Sequence, residues 1–126
     1  MLIDSNIIIY AAKPERAELR KLIAEQTPSV SAVSYVEVLG YHKLSEQERE
    51  YLEAFFAAAS VLAISDNVLM QAVKLRQVRK MTLGDALIAG TALAYDLALV
   101  TRNTEDFDWV DGLTLLNPFA PDESAA

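Results

Sequence analysis

Three acidic residues stand alone in apolar sequence. Asp4 is the only charged residue from Met1 to Ala12, and Glu37 the only one between Gln26 and His42, in the stretch TPSVSAVSYVEVLGY. Asp85 is the only one between Lys80 and Asp96, in MTLGDALIAGTALAY. Flanks of this composition are expected to be buried, and Asp and Glu are almost never fully buried unless paired. Carrying a lone carboxylate into an apolar interior costs on the order of several kcal/mol or more. No isolated lysine or arginine lies nearby in sequence to partner any of the three. Three solitary carboxylates could instead share bound cations, which take oxygen ligands.

Each acid also has a structural explanation. Ser34-Tyr35-Val36-Glu37 matches a capping box, in which the acid reaches back to the N–H of the cap residue. Thr82-Leu83-Gly84-Asp85 and Asn103-Thr104-Glu105-Asp106 put an acid at the same third helical position, where it complements the helix dipole. Asp4 could cap the turn after a first strand. Ser45-Glu46-Gln47-Glu48 is an internal control, since it is the same box with Glu48 among other charges on a solvated face. Capping accounts for an acid at a helix start but not for apolar sequence on both sides of it.

The elements that would position these acids alternate. Met1-Leu2-Ile3 reads as a buried strand ending at Asp4, and Ile7-Ile8-Ile9-Tyr10 as either more strand or the first turn of a helix. Pro14 is expected to open a helix through Glu15 to Gln26, with Leu19, Leu22 and Ile23 on one face, and Pro28 to stop it. Ser29–Ala32 is a short strand before a helix over Ser34–Tyr41. A further helix spans Ser45–Ala58, and Val61–Ile64 is a brief strand. Ser65 caps a helix to about Lys80 that carries Val68, Leu69, Ala72, Val73 and Leu75 inward. A helix over Gly84–Tyr95 and strands at Leu97–Val100 and Leu113–Leu116 complete the pattern. Short apolar strands alternating with helices imply a three-layer α/β/α domain with a mostly parallel central sheet. Ligands of such sheets bind beyond the carboxyl ends of the strands, where all three acids fall.

At 126 residues the chain is expected to be one domain over residues 1–119, followed by a loose tail over 120–126. Eleven basic against eighteen acidic residues leave a net charge of −7. A protein that grips nucleic acid over its whole surface is therefore excluded, and any such site must be local or built on bound cations. Without cysteine there is neither a disulfide framework nor a thiolate metal site, which suits a reducing cytoplasm. No apolar run approaches the roughly 18 residues of a membrane helix. The start of the chain does not read as a signal peptide.

Taken together, the segments LIDSNIIIY, SVSAVSYVEVLGY and LGDALIAGTALAYDLALVTRNTEDF resemble the PIN-domain ribonucleases, most closely the VapC-type and FitB-like toxins of bacterial type II toxin–antitoxin pairs. The third segment is the most specific, and Asn117-Pro118-Phe119 is similar to the family's closing segment. The resemblance implies a PIN-like fold and metal-binding, catalytic roles for Asp4, Glu37 and Asp85. Gly84 departs from the family, where proline or alanine is common. A further acid can stand two residues after the threonine of the last motif; here that position is Asn103, which leaves Asp106 as the fourth contributor, directly or through water. Asp106 equally belongs to a solvated acidic group with Glu105, Asp108 and Asp111, and both readings stand. Ser5, Asn6, Thr101 and Asn103 would shape the site, although Asn6 and Thr101 also suit plain turns or caps.

Carboxylates alone repel an RNA phosphate, and a divalent ion between them reverses the sign of the site. With hard oxygen ligands and His42 as the single histidine, that ion is expected to be Mg²⁺ or Mn²⁺ rather than zinc. His42 itself reads as a surface residue. The resemblance implies endonucleolytic RNA hydrolysis leaving a 5′-phosphate, a cytoplasmic setting, no membrane, and an antitoxin partner that docks a C-terminal segment. A homodimer is also expected. Lys74, Arg76, Arg79 and Lys80 lead towards Asp85, and Arg102 follows the last motif strand; Arg79, Lys80 and Arg102 are the candidate RNA-binding cations, or else a solvated helix end. A phospho-receiver would need a second acid beside Asp4 and a lysine near Thr101, and an aspartyl phosphatase an Asp at position 6. The sequence has neither. The remaining rival is a catalytically inactive PIN-like module that only binds protein.

Overall fold

The computed structural model describes residues 1–119, so the tail expected over 120–126 lies outside the described residues. Its elements run β1 (Leu2–Ile3), α1 (Ser5–Ala11), α2 (Ala17–Gln26), β2 (Ser29–Ser31), α3 (Ala32–Leu39), α4 (Glu46–Ala58), β3 (Ser60–Leu62), α5 (Asp66–Val78), α6 (Leu83–Ala94), β4 (Leu99–Val100), a 3-10 turn (Thr104–Asp106) and β5 (Leu115–Leu116). The five strands form one sheet in the order β3-β2-β1-β4-β5, every pair parallel. The three-layer α/β architecture expected from the alternation is the one observed.

Alternate residues of each strand face opposite layers. Leu2 and Leu99 pack with Leu75, Ile88, Ala89 and Ala92 of α5 and α6, joined by Phe107 and Val110. Ile3 and Val100 pack on the other side with Val30, Ile8 of α1, Val38 of α3, and Leu52 and Phe56 of α4. Both faces being covered explains why the strands read as unbroken apolar runs. The chain moves outward from β1 through β2 to β3, then returns to lay β4 against the other side of β1. Strand order therefore reverses between β1 and β4, and the crevice beyond their carboxyl ends is the expected binding place.

Ile7–Tyr10 takes the helical one of its two expected readings, and other boundaries differ from those expected, each for a local reason. Ile7–Tyr10 is helical: Ile7, Ile8 and Ala11 are buried on one side of α1, and sheet pairing ends where the Asp4 N–H meets the Val100 carbonyl at 2.9 Å. Helix α2 begins at Ala17 rather than behind Pro14 because Arg20 binds the carbonyls of Ala11 (2.9 Å) and Lys13 (2.6 Å), fixing a turn there. On α5 only Val68, Ala72 and Leu75 are buried, while Leu69 and Val73 lie one position round the helix from that stripe and are exposed. Among the described residues, no helix is long and apolar enough to cross a membrane.

Candidate active site

Asp4 follows β1 and is only 5% exposed. It sits at the N-cap position of α1, yet its side chain makes no cap hydrogen bond. Its Oδ2 instead accepts a hydrogen bond of 2.9 Å from Thr101 Oγ1, across the point where strand order reverses. Thr101 is fixed in turn: its backbone N–H reaches the Leu116 carbonyl, and its hydroxyl accepts from the Asn103 N–H at 3.1 Å. Burial pushes the Asp4 carboxyl up to about 6, and the neighbouring charges of Asp85 and Glu37 push the same way, against the Thr101 hydroxyl and the Ser5 N–H. The cap explanation thus fails for Asp4, which is a buried acid held ready at a strand end.

Glu37 corrects two expectations. Helix α3 starts at Ala32 and is capped by Ser31, whose hydroxyl accepts from the Val33 N–H at 3.2 Å, so no capping box forms at Ser34. Glu37 therefore lies in the second turn, and it is exposed, as are Tyr35 and Val36, because α3 turns Ser34 and Val38 inward. The apolar flanks are in this case partly a surface. Ser5 Oγ donates to Glu37 Oε1 at 2.7 Å and lies 2.8 Å from Ser34 Oγ. A hydroxyl has one proton, so Ser34 must donate to Ser5 for Ser5 to donate to Glu37. Ser34 was legible only as a cap residue; its spacing three before Glu37, which puts both on one side of a helix, was the signal that it belongs with the acid.

Asp85 is half-buried in the first turn of α6, where its backbone N–H is capped by Thr82 Oγ1 at 3.1 Å. Its carboxyl is pushed up first by burial, then by Asp106, and further by Glu37, against the Thr82 hydroxyl. The capping role and the shared-site role coexist at this residue. Gly84 touches Glu37: a β-carbon on residue 84 would lie 3.2 Å from Glu37 Cδ and closer still to Oε2. Helices α3 and α6 are thereby brought together at their two acids.

Asp106 is exposed in the 3-10 turn, which Asn103 enters without a side-chain cap, and its charge acts on Asp85. Asn6 is exposed beside Ser5. Arg79 ends α5 with its guanidinium 5.1 Å from the Trp109 ring, whose Nε1 bonds the Asp106 carbonyl at 3.0 Å, and Lys80 follows it, exposed. Arg102 lies over the rings of Phe119 (4.6 Å) and Tyr10 (5.6 Å). His42 is exposed against Tyr41. The control box at Ser45 forms in full, and Glu48 additionally pairs with Lys13 at 2.8 Å.

The donor set suits a hard divalent ion: carboxylates whose charges act on one another, with no lysine or arginine paired to Asp4, Glu37, Asp85 or Asp106 among the described residues. The acids nevertheless stand apart. Among the described residues, no three acidic or histidine side chains are grouped closely enough to hold one ion as they lie.

The family described as PIN domain matches residues 1–113. The chain belongs to the PIN-domain family. Within it, this PIN domain is 30% identical to the tRNA(fMet)-specific endonuclease VapC of Shigella flexneri, over 89% of this chain and 92% of that relative. It also superposes on a toxin–antitoxin complex from Klebsiella pneumoniae with a TM-score of 0.75 and 29% identity, covering 94% of this chain and 97% of the other. The DNA-bound VapBC of Salmonella typhimurium gives a TM-score of 0.81 at 21% identity, with 94% and 97% covered, and shares the fold. This PIN domain is thus of the VapC type.

Proposed function

We propose that this VapC-type PIN domain is a metal-dependent endoribonuclease, the toxin of a cytoplasmic type II toxin–antitoxin pair. The observation that carries the reading is Asp4: a buried carboxylate, oriented by Thr101 at the carboxyl ends of β1 and β4, facing the charges of Glu37 and Asp85, with no lysine or arginine paired to it among the described residues.

Asp4, Glu37 and Asp85 would hold Mg²⁺ or Mn²⁺, with Asp106 as a fourth acid; when bound, the ion supplies positive charge towards a phosphate and a water of lowered pKa. Thr101 fixes the direction of the Asp4 carboxylate. Ser34 and Ser5 do the same for Glu37, through two consecutive hydroxyl bonds. Because the acids stand apart, binding would draw Glu37 and Asp85 inward from their exposed and half-buried places. Arg79, which reaches the Asp106 turn through Trp109, Lys80 next to it, and Arg102 on the α1 side would meet RNA phosphates. An antitoxin protein and a second copy of the chain are the proposed partners, in keeping with the toxin–antitoxin complexes among its structural neighbours.

The separation of the acids favours one rival, a PIN fold that binds protein without cutting RNA. Incubating purified protein with RNA and Mn²⁺ or Mg²⁺ separates the two. Cutting that EDTA stops and Glu37→Gln reduces supports the nuclease. No cutting of any RNA, together with no calorimetric heat of Mn²⁺ binding, would leave the binding module.

A further inference from the structure

A groove of about 340 Å³ opens beside Glu37, lined by Ser5, Asn6, Ile9, Tyr10, Lys13, Glu37 and Tyr41. Two of these, Ser5 and Glu37, belong to the candidate site, so anything lying in the groove meets the Glu37 carboxylate. The rest come from one side of α1, at residues 6, 9 and 10, from Lys13 in the turn after it, and from Tyr41, two residues past the end of α3. We propose that this groove is a nucleotide subsite, which holds one base and sugar of an RNA strand beside the phosphate to be cut, with Tyr41 as the stacking surface and Lys13 as the contact to the next phosphate. The proposal rests on the nuclease reading above.

Size and chemistry agree. The volume lies at the lower end of the roughly 300–1,000 Å³ of small-ligand sites, which is room for a nucleoside. Tyr41 is half-buried and in edge contact with His42, so its ring is held by a neighbour while part of it stays open to the groove. Tyr10 is the poorer platform, because Arg102 and the edge of Phe119 already occupy its ring. Asn6 is exposed at the acid end and offers both a donor and an acceptor to a base edge. Lys13 is the cation lining the groove, and because its ammonium pairs with Glu48 at 2.8 Å a phosphate there would compete with that carboxylate. On a chain of net charge −7, a cation lining a groove beside a carboxylate site marks where a polyanion can continue. A ring face accepts any base, so the subsite adds affinity and spacing rather than base identity.

The test is the affinity of the full-length Asp4→Asn protein for a short fluorescein-labelled single-stranded RNA, read by anisotropy. The same variants are assayed for cleavage in the unchanged background. Tyr41→Ala is expected to weaken binding by roughly 5- to 150-fold, the worth of one stacked base, and Tyr41→Phe to keep it. Lys13→Gln is expected to weaken binding and to lower the salt dependence by about 0.7 in log–log slope, the loss of one phosphate contact on a single strand. Unchanged RNA affinity in Tyr41→Ala overturns the subsite while leaving the nuclease reading intact. Loss of a co-expressed antitoxin from Tyr41→Ala, with RNA affinity unchanged, also overturns it and assigns the groove to a protein segment. If the Asp4→Asn protein binds no RNA and the unchanged protein cuts none, the nuclease reading fails and the subsite fails with it.

Discussion

The carboxylate of Glu37 fills the space in which a side chain on residue 84 would begin. A β-carbon there would stand 3.2 Å from Glu37 Cδ and nearer to its Oε2, and only glycine leaves that volume free. Ser5 holds the other oxygen of the same carboxylate at 2.7 Å. The departure from the family pattern at Gly84 thus has a local reason: it lets an acid from α3 rest against the first turn of α6, next to Asp85.

Gly84→Ala should therefore displace Glu37 without harming the fold. Alanine is better than glycine in a helix by about 0.5–1 kcal/mol, so thermal stability is expected to hold or rise slightly. Mn²⁺ affinity by titration calorimetry should fall by roughly 10- to 100-fold, the usual cost of losing a group that orients a ligand. Equal affinity would mean that Glu37 reaches the ion from another position.

Gly90→Ala is the contrasting case. A β-carbon there would meet the Val68 carbonyl oxygen at 2.9 Å and the Ala72 nitrogen at 3.2 Å, both backbone atoms that cannot swing aside. Helices α5 and α6 would have to separate, at a cost of about 1–3 kcal/mol. A lowered melting temperature with metal affinity unchanged is the expected result.

Burial raises the Asp4 carboxyl to about 6, so the folded chain holds this proton more tightly than the unfolded chain does. Protonation therefore favours folding. In EDTA, the contribution of Asp4 to stability is full below pH 4, is lost as pH rises through about 6, and leaves a cost at neutral pH on the order of 3 kcal/mol. Asp4→Asn keeps an acceptor for Thr101 without the charge. Its melting temperature should exceed that of the unchanged protein by several degrees at pH 7, and the difference should vanish near pH 4. Activity should be lost at every pH.

Thr101→Val removes the hydroxyl that steadies the ionised Asp4. A hydrogen bond to a charged group contributes about 1.5–3 kcal/mol. Losing it should drive the Asp4 carboxyl higher still and move the pH dependence of Mn²⁺ binding in the alkaline direction. Thr101→Ser should restore the original profile, an outcome that a purely structural role for Thr101 would not produce.

Much of this was legible in the sequence because the acids are conspicuous there. A lone Asp between Leu2-Ile3 and Ile7-Ile8 must either be buried with a partner or mark a site, and Asp4 is nearly buried with Thr101 as its partner. The strand–helix alternation that implies a parallel sheet was legible too, but not the order β3-β2-β1-β4-β5 of its strands. It could not show that α3 begins at Ala32, because Ser31 and Ser34 are equally good caps in isolation; the end of β2 at Ser31 decides between them. With that shift Glu37 left the first turn and moved to the surface. Nor could spacing reveal that Gly84 and Glu37 touch, 47 positions apart, since only the packing of α3 on α6 brings them together.

Asp4 and Asp85 are proposed to serve one site. Cleavage of RNA with Mn²⁺ by Asp4→Asn, by Asp85→Asn and by the double variant tests it most directly. Groups that act as a unit are not additive. Each single variant is expected to lose on the order of 10²–10³ in rate, with the double variant no slower than the worse single one. Losses that multiply in the double variant, or a single variant that cuts at the unchanged rate, would contradict a shared site.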